Sequence, residues 1–547
     1  HGRTRWGRLA AIFGAAAVTA LQCLAVPAFA GFELPPGERI TNLPAIPRNM
    51  PQKEAYELYD PVIGRNFDIK NLWMRADLRV RPEMRNNACF GLAQGAGGTC
   101  NSFGTRGTAA GGGNKGNDMF VQQWMRLGIG YDLSPDVNFY VEIIDSANWG
   151  SNGAATNAGN GGDPLNHNGA SASGAGNGGR LGVRAAYMLV RNLADIQGLS
   201  VKVGRQYVIF GNHSLFGHFD WANTGYSHDG VMFAYQTKNW DSYFGWFRNS
   251  ESDLGQASPV GSGAPNIAGS GAQDANRDAD MFIFYNQIKM VPGMVIEPFY
   301  VLYQNRYGSA DFAGQGLGTA KHSNQTRHMV GNRIEMRKGG FDFSNEIAYQ
   351  FGQMGQAGAC VGEQKCLHIN AWATRNWIGY TFYDTAWKTR LAFNLDYASG
   401  DSRNNTCTNG SNCKTANTFE NFFPTNHIHM GYMDVQAWKN MLSPSVNLQA
   451  RPSARDHIEL WYTNLNLANS KDCWYRAAQG CYVFSNANNT KTHIGDEIDV
   501  SYTRMFADGK VALQTTYGTI FSGGYLTSTL NQTQNQHWAY MSLWMNF

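Results

Sequence analysis

Charged side chains are scarce in this sequence, and long apolar runs are missing beyond its first 30 residues. Lysine, arginine, aspartate and glutamate make up 16% of the 547 residues, against roughly 25% in typical soluble proteins. A helical membrane protein needs stretches of about 20 apolar residues, and none follows residue 30. The formal net charge of only +3 argues against a nucleic-acid-binding protein.

Glycine and aromatic residues are abundant instead. The chain has 63 glycines, and phenylalanine, tryptophan and tyrosine make up 13% of it. A transmembrane β-barrel combines these features because lipid-facing apolar residues and lumen-facing polar residues alternate along each strand. We therefore expect an all-β protein in the outer membrane of a Gram-negative bacterium.

The N-terminus carries the features of a secretory signal. Three arginines within the first eight residues precede an apolar stretch (9–26) and an Ala-Phe-Ala cleavage pattern at 28–30. A membrane-anchor helix is the alternative, but glycine and polar residues interrupt the stretch. We expect a signal peptide at 1–30, a periplasmic segment at 31–70 and the barrel at 71–547.

Residues 72–85 alternate strictly between apolar and charged side chains. Leu72, Met74 and Leu78 occupy even positions, whereas Arg75 and Asp77 occupy odd ones, and a strand places these two sets on opposite faces. The alternation recurs after residues 124, 341 and 390. Short turns alternate with long polar loops, which is typical of an up-and-down barrel with periplasmic turns and extracellular loops.

The number of strands depends on how one segment is interpreted. Residues 427–437 also look strand-like, which gives nineteen strands, but barrels of this class have an even number with both termini periplasmic. We interpret 427–441 as an ordered part of the long outer loop 400–441. The prediction is an antiparallel barrel of eighteen strands, with sixteen as the alternative.

The C-terminus resembles that of outer-membrane proteins. Phe547 is the last residue, and Met545, Leu543 and Met541 continue its face in steps of two. This resemblance implies that the last strand, with Phe547, is the signal that the barrel-assembly machinery reads.

The cysteines beyond Cys23 form four close pairs. Each pair falls within one predicted extracellular loop, and only pairing of neighbours avoids joining different loops. An even number in an oxidising compartment indicates disulfides, whereas the alternative, metal binding, lacks C-x-x-C spacing. The expected disulfides are Cys89–Cys100, Cys360–Cys366, Cys407–Cys413 and Cys473–Cys481.

Charged residues on the inner face are candidates for the lining of a pore. An arginine on the lipid face near the midplane costs about 2–4 kcal/mol, which places these charges in the lumen. Their slight basic excess, concentrated on the first strand, favours anions; a lattice of ion pairs that only fills the barrel is the alternative. The candidates are Arg75, Asp77, Arg79, Arg81, Arg126, Glu142, Arg184, Lys202, Arg333, Arg337, Arg390 and Asp396.

Residues 211–229 contain a group that could be drawn as a metal or hydrolytic site. Its members are His213, His218, Asp220, His228 and Asp229. Their spacing matches no H-E-x-x-H motif, and no G-x-S-x-G elbow accompanies them. We expect neither enzymatic activity nor a metal or cofactor.

Several segments resemble the alginate-export family of outer-membrane barrels. They include "RLGIGYDLSPDVNFYVEIIDSANWG" (126–150), "LDYASGD" (395–401) and stretches within 201–231, 419–438 and 494–503. The resemblance implies an eighteen-stranded barrel with an arginine-rich conduit for an anionic polysaccharide.

The resemblance adds one candidate for a pore charge. Arg205, in "GRQ", aligns with a strand arginine of the family. It shares a face with Val201 and Val203, so a β-bulge would be needed to turn its side chain inward.

The sequence thus predicts a channel for anionic or polar solutes, with an anionic polysaccharide such as alginate as one candidate. The alternative is a structural barrel that serves as sheath or scaffold for an electron conduit or an adhesin. Expected partners are outer-membrane lipid, the barrel-assembly machinery, a small anionic or saccharide solute and periplasmic export proteins, but no nucleic acid.

Overall fold

The computed structural model describes most of the chain from residue 69 onward. The predicted signal peptide (1–30) and the predicted periplasmic segment, apart from its last two residues, lie outside the described residues, as does Phe547. The described residues are 69–87, 118–149, 181–221, 225–250, 279–305, 325–354, 367–402, 415–475, 477, 481–483, 489–530 and 534–546.

Eighteen antiparallel strands close into one barrel, which confirms the predicted fold. Each strand pairs with its neighbours along the chain, and the first strand pairs with the last, so every spanning strand has its backbone hydrogen-bond partners within the barrel. The strands of the barrel are β1 (Leu72–Asn86), β2 (Asp118–Ser134), β3 (Val137–Trp149), β4 (Leu181–Arg191), β5 (Leu199–Gln206), β6 (His228–Gln236), β7 (Trp240–Ser250), β8 (Ala279–Ile288), β9 (Met294–Asn305), β10 (Gln325–Lys338), β11 (Phe341–Met354), β12 (Leu367–Thr381), β13 (Arg390–Ala398), β15 (Met441–Ser453), β16 (Asp456–Leu467), β19 (His493–Phe506), β20 (Val511–Ser522) and β21 (Gln536–Asn546).

The remaining elements are short and lie in the connections. The short strands are β14 (Thr415–Ala416), which pairs in parallel with β12, and β17 (Trp474–Tyr475) and β18 (Cys481–Val483), which pair with each other. The helical elements are 3-10 turns at Ile69–Asn71, Leu193–Asp195, Asn426–Ile428 and Ala507–Gly509 and an α-helix at Gly524–Leu530. In the described part of the chain, no helix is both long and apolar enough to cross a membrane.

The strands alternate between an apolar outer face and a polar inner face. On β1, Met74 and Met84 point outward with 60% and 47% of their surface exposed, whereas Arg79 and Arg81 point into the lumen and are buried. Short connections at one end close the hairpins; in the β10–β11 turn, Gly339 has a φ of +58°, a left-handed conformation that favours glycine. The long connections leave from the other end, as the sequence predicts.

Two of the long connections fold into the lumen, which the sequence did not predict. Inner segment 1 (207–221 and 225–227) lies between β5 and β6, and inner segment 2 (415–440) lies between β13 and β15. Residues 418–440 are buried throughout, and Phe216 of segment 1 pairs with Phe423 of segment 2. The interpretation of 427–441 as part of an outer loop was therefore wrong in its location, because the apolar side chains that suggest a strand are buried inside the barrel.

Candidate functional site in the barrel lumen

Six arginines from neighbouring strands form one side of the lumen, which we call the arginine wall. Arg75, Arg79, Arg81 and Arg85 lie on β1, two or four residues apart. Because side chains two residues apart on a strand share a face, all four face inward. On β4, the register against β3 shifts between Glu142 and Ile143, and this bulge leaves both Arg184 and Ala185 buried on the inner face. The members of the wall are Arg75, Arg79, Arg81, Arg85, Arg126 and Arg184.

The arginine wall holds inner segment 1 by its backbone. Nη1 of Arg79 donates to the carbonyl oxygens of Asp220 (2.6 Å) and Trp221 (2.9 Å). Nη1 of Arg81 donates to the same Trp221 carbonyl at 2.8 Å, and its guanidinium lies 3.5 Å from the centre of the Trp221 ring. Both arginines are at most 1% exposed, so their guanidinium groups contact inner segment 1 rather than a solute.

The carboxylate of Asp220 completes this attachment. Arg126 Nη1 donates to it at 2.9 Å, and Arg184 Nη2 donates at 3.0 Å. Burial alone would raise the pKa of Asp220, but the cationic groups of Arg126, His218 and Arg184 more than offset burial, so the pKa lies well below its ordinary value. Asp220 is therefore a fixed anion among the arginines.

Other acidic residues neutralise the rest of the arginine wall. Glu83 accepts from Arg81 at 2.7 Å and from Arg85 at 2.9 Å. Asp77 lies 2.9 Å from Arg75. Glu142 accepts hydrogen bonds from the hydroxyl groups of two tyrosines, Tyr140 (2.6 Å) and Tyr207.

A second side of the lumen presents acidic residues, which we call the carboxylate wall: Glu459 on β16 and Glu497 and Asp499 on β19. It holds inner segment 2 through the backbone N–H groups of Met433, which donates to Glu497 (2.9 Å), and Tyr432, which donates to Asp499 (3.1 Å). The Tyr432 hydroxyl donates to Glu459 at 2.7 Å.

Close approach of backbone to the carboxylate wall requires a glycine. Gly431 has a φ of +87°, and a Cβ at this position would lie 2.2 Å from Oε1 of Glu497. This φ is strained for residues that have a Cβ, and any such residue would also displace the carboxylate of Glu497. Gly431 therefore lets inner segment 2 lie directly against β19.

A stacked pair joins the two inner segments. The rings of Trp221 and His427 lie 3.5 Å apart with an angle of 4° between their planes. Trp221 Nε1 donates to Asp434 at 2.8 Å, and His427 Nδ1 lies 3.0 Å from the other carboxylate oxygen. Burial lowers the pKa of His427 although Asp434 favours its protonated form. The stack, together with the contacts of both rings to Asp434, thus joins Trp221 of inner segment 1 to His427 of inner segment 2.

Ion pairs also line β9 to β13. Arg333 pairs with both Glu297 and Glu335, and Arg390 binds Asp342 through two hydrogen bonds of 2.8 and 2.6 Å. Of the remaining predicted residues, Arg337 lies 3.7 Å from Glu335, and Asp396 lies 3.2 Å from Arg375.

Three of the predicted cations stay partly exposed inside the barrel. The side chains of Arg75 and Arg337 are 15% and 14% exposed, and Lys202 is partly exposed with its Nζ 4.8 Å from the centre of the Tyr187 ring. Each lies within three residues of the end of its strand at which the short turns lie. These cations therefore lie near the periplasmic mouth of the lumen.

Arg205 does not face the lumen, contrary to the expectation from the resemblance. No register shift interrupts β5, so Arg205 stays on the same face as Val203, which is 39% exposed. It binds Asp229 on the outer surface through hydrogen bonds of 2.8 and 2.7 Å. The β-bulge that would be needed to turn Arg205 inward is absent from β5; a β-bulge lies instead in β4, at Arg184.

Only three of the five histidines and aspartates of 211–229 lie together: the rings of His213 and His218 are 5.0 Å apart, and Nδ1 of His218 lies 3.6 Å from the carboxylate of Asp220. Asp220 binds arginines and Asp229 faces outward, whereas His228 packs against Phe423 (4.9 Å between ring centroids). Within the described residues, no group of three or more histidine, cysteine, aspartate or glutamate side chains has the arrangement of a metal site.

Six of the eight paired cysteines lie outside the described residues: Cys89, Cys100, Cys360, Cys366, Cys407 and Cys413. Cys473 takes part in a disulfide, and the backbone of Cys481 lies opposite Tyr475 in the hairpin of β17 and β18. The assignment of all four disulfides stays a prediction.

Several lumenal residues were missed in the sequence. Arg327 and Arg375 are buried; Arg327 shares the inward parity of β10 with the predicted Arg333 and Arg337, and Arg375 occupies the inward face of β12, so the alternation could have identified both. Asp434 and Trp221 could not be found this way because they lie on inner segments. Among the described residues, buried carboxylates outnumber buried cations, so the slight basic excess predicted among the inward-facing strand residues does not extend to the whole interior.

Comparison with known proteins agrees with this architecture. Residues 72–540 match the alginate export family, whereas no curated protein matches the sequence. The fold is similar to that of Pseudomonas aeruginosa OccK9 (OpdG), with a TM-score of 0.51, 10% identity and coverage of 88% of this chain and 99% of that one. It is also similar to Acinetobacter baumannii OccAB2, with a TM-score of 0.50, 9% identity and coverage of 87% and 98%.

At these identities the solved structures support the fold alone, whereas the family match covers most of the chain. The family points to a channel rather than to an enzyme. The chain therefore belongs to the alginate export family and forms an outer-membrane channel of a Gram-negative bacterium.

Proposed function

We propose that the channel passes anionic or polar solutes and prefers anions, with anionic saccharides such as uronates as candidate cargo. The supporting observation is the group of partly exposed cations at the periplasmic mouth, Arg75, Lys202 and Arg337. A charge acts on mobile ions over a Debye length of ~8 Å at physiological salt. Cations around a mouth therefore raise the local concentration of anions.

The buried arginines have a different role in this proposal. Arg79, Arg81, Arg126 and Arg184 already bind inner segment 1. The pore-lining role proposed for them is thus indirect: they hold the segment that narrows the path. Arg333, Arg390 and Asp396, with their partners, form the lattice of ion pairs that the sequence offered as the alternative.

The size of the solute follows from the two inner segments. They bind β1 and β19, which are separated only by β20 and β21 in the closed barrel, and they stack on each other. A small solute needs only the space beside the segments, whereas a polysaccharide requires them to move. We therefore propose small anions as the cargo while both inner segments occupy the lumen.

Ion selectivity of the purified protein in planar bilayers tests the proposal. We expect an anion-selective reversal potential in a KCl gradient, and a shift toward zero in Arg75→Gln/Arg337→Gln. Arg455→Gln is the matched control, because Arg455 lies on a periplasmic turn with 62% of its side chain exposed. A cation-selective parent, or equal reversal potentials in parent and double variant, would contradict the proposal.

Block of the ionic current identifies the class of cargo. Oligomers of uronate should reduce the current from the periplasmic side at concentrations at which neutral oligomers of equal length do not. Equal block by both would favour size over charge. The scaffold alternative has a separate signature, namely a cytochrome or adhesin that co-purifies with the barrel; periplasmic export partners would be found in the same way.

A further inference from the structure

Four charged residues form a row on the outer surface of β5 to β8. Arg205 lies opposite Asp229, Asp229 opposite Arg248, and Arg248 opposite Asp280 in consecutive strand pairs. Arg205 binds Asp229 at 2.7 and 2.8 Å, and Arg248 binds Asp280 at 3.1 and 3.2 Å. The row thus alternates in sign, with four charges and no net charge.

The row lies at the outer edge of the apolar band. Each of its members is within two residues of the end of its strand that leads to the long loops. One step toward the periplasm, the same face carries Val203 and Trp246, 39% and 37% exposed, and below them Phe244 and Phe284, 47% and 44% exposed. Charges at this depth cost little in lipid, about 0–1 kcal/mol near the interface, so the membrane tolerates the row.

The alternation of sign favours one occupant over another. A phosphorylated lipid headgroup would need an excess of positive charge, but here each arginine already binds an aspartate. A second copy of the chain needs the opposite: a two-fold interface must be complementary to itself. A two-fold rotation reverses the order of the row in the second copy. Each arginine of one copy would then face an aspartate of the other copy at every position.

We propose that a second copy of this chain docks on the row, in a two-fold dimer whose axis is parallel to the membrane normal. Both copies have the same orientation in the membrane, which fixes the direction of that axis. The apolar wall below the row, with Trp246 and Phe244, packs against its counterpart. Trp246 Nε1 donates to Asp280 at 3.1 Å, which joins this wall to the row.

The tilt of the strands selects the residues that meet. Strands of such barrels are inclined by about 35–45°, so two facing rows cross at an angle and touch only near their centres. The central residues are Asp229 and Arg248, and they are also the most exposed of the row: 44% and 35%, against 20% for Arg205 and 17% for Asp280. Asp229 of each copy therefore faces Arg248 of the other.

A charge swap between copies tests this contact. Asp229→Arg places two arginine pairs face to face in a dimer of that variant, and Arg248→Asp places two aspartate pairs face to face. A mixed dimer of the two variants restores opposite charges at both contacts. The full chain, carrying either of two affinity tags, is co-expressed, extracted in mild detergent, and the co-purified second tag is measured.

The parent should co-purify with itself. Each single variant should lose at least about tenfold of this signal through like-charge contact, and the mixed pair should recover it. Arg504→Asp is the matched control: Arg504 binds Asp456 on the outer face at 2.9 Å across β16 and β19, far along the strand order from the row, and its self-pairing should equal that of the parent.

Heat-modifiable gel migration establishes that each variant is folded. If a charge reversal prevents folding, Asp229→Asn and Arg248→Gln replace it, with smaller losses expected. A monomeric parent, with or without bound glycolipid, would overturn the proposal. So would single variants that pair as the parent does, a mixed pair no better than the singles, or an equal loss in Arg504→Asp.

Discussion

The two inner segments attach to two different walls of the lumen in opposite ways. On the arginine wall, guanidinium groups donate to backbone carbonyls of segment 1, as Arg79 does to Asp220 and Trp221. On the carboxylate wall, Glu497 and Asp499 accept from backbone N–H groups of segment 2. Each wall therefore supplies the partner that the backbone of its segment lacks.

This difference explains why the lumen contains so many buried charges. An irregular segment inside a barrel has no ladder for its backbone groups, and buried backbone groups must find partners. A charged side chain on an inward strand position provides a strong one. Charge in the middle of the lumen thus binds the inner segments, whereas the action on solutes is proposed for the partly exposed cations near the mouth.

Removal of the donors on the arginine wall should have the largest effect. In Arg79→Met/Arg81→Met, the carbonyls of Asp220 and Trp221 lose charged donors, and a buried group without a partner costs about 1–3 kcal/mol. Inner segment 1 should leave its place and widen the path. We expect a several-fold higher single-channel conductance and cleavage of segment 1 by added protease, with heat-modifiability retained.

Arg75→Met is the control for this variant, because Arg75 pairs with Asp77 near the mouth. It should change ion selectivity but leave the conductance within the same range. A double variant with the conductance of the parent would show that the arginines do not hold the segment in place.

Loss of the stack between the segments should have a smaller effect. Trp221→Leu removes the ring over His427 and the donor to Asp434, and an aromatic pair contributes about 0.5–1.5 kcal/mol beyond its buried area. Backbone amides of 426–440 should then exchange with solvent up to roughly tenfold faster, since 1.4 kcal/mol corresponds to a factor of ten. Trp372→Leu is the control, because Trp372 lies on the outer face with 43% exposure, and it should leave this exchange unchanged. Equal exchange rates in the parent and in Trp221→Leu would mean that the two inner segments are independent of each other.

The sequence predicts what depends on neighbouring residues and misses what depends on distant ones. The alternation on β1 is local, and it correctly places Arg79 and Arg81 in the barrel. Their partners are more than 130 residues away in the chain, so the pattern contains no sign that these charges hold a segment. The same reason explains 427–441: apolar side chains look alike whether they face lipid or the interior of the barrel.

The placement of Arg205 shows a second limit. The resemblance assigned it to the pore, whereas the alternation on β5 assigned it to the outside, and the structure agrees with the alternation. Parity is set by the geometry of the strand and can be overturned only by a bulge. The bulge on β4 at Arg184 could not be predicted because it depends on the pairing with β3.

The smallest expected effect is a pH dependence at the outer end of inner segment 2. Asp472 joins three parts of the chain, because its carboxylate accepts from the Thr418 hydroxyl (2.6 Å), the Asp401 N–H (2.8 Å) and the Cys473 N–H (2.7 Å). Burial raises the pKa of Asp472 from 3.8 to about 6, with a further contribution from Asp401, although its hydrogen bonds oppose the rise.

Because the raised pKa means that the folded state binds the proton more tightly, the stabilising contribution is complete below pH 4 and is lost as the pH rises to about 6. Hydrogen-exchange protection factors, which remove the intrinsic pH dependence of exchange, should therefore be higher for the amides of 472–475 at pH 4.5 than at pH 7. Asp472→Asn keeps an acceptor but cannot titrate, so its protection should not change between these two values; the same pH dependence in this variant would assign the effect to another group.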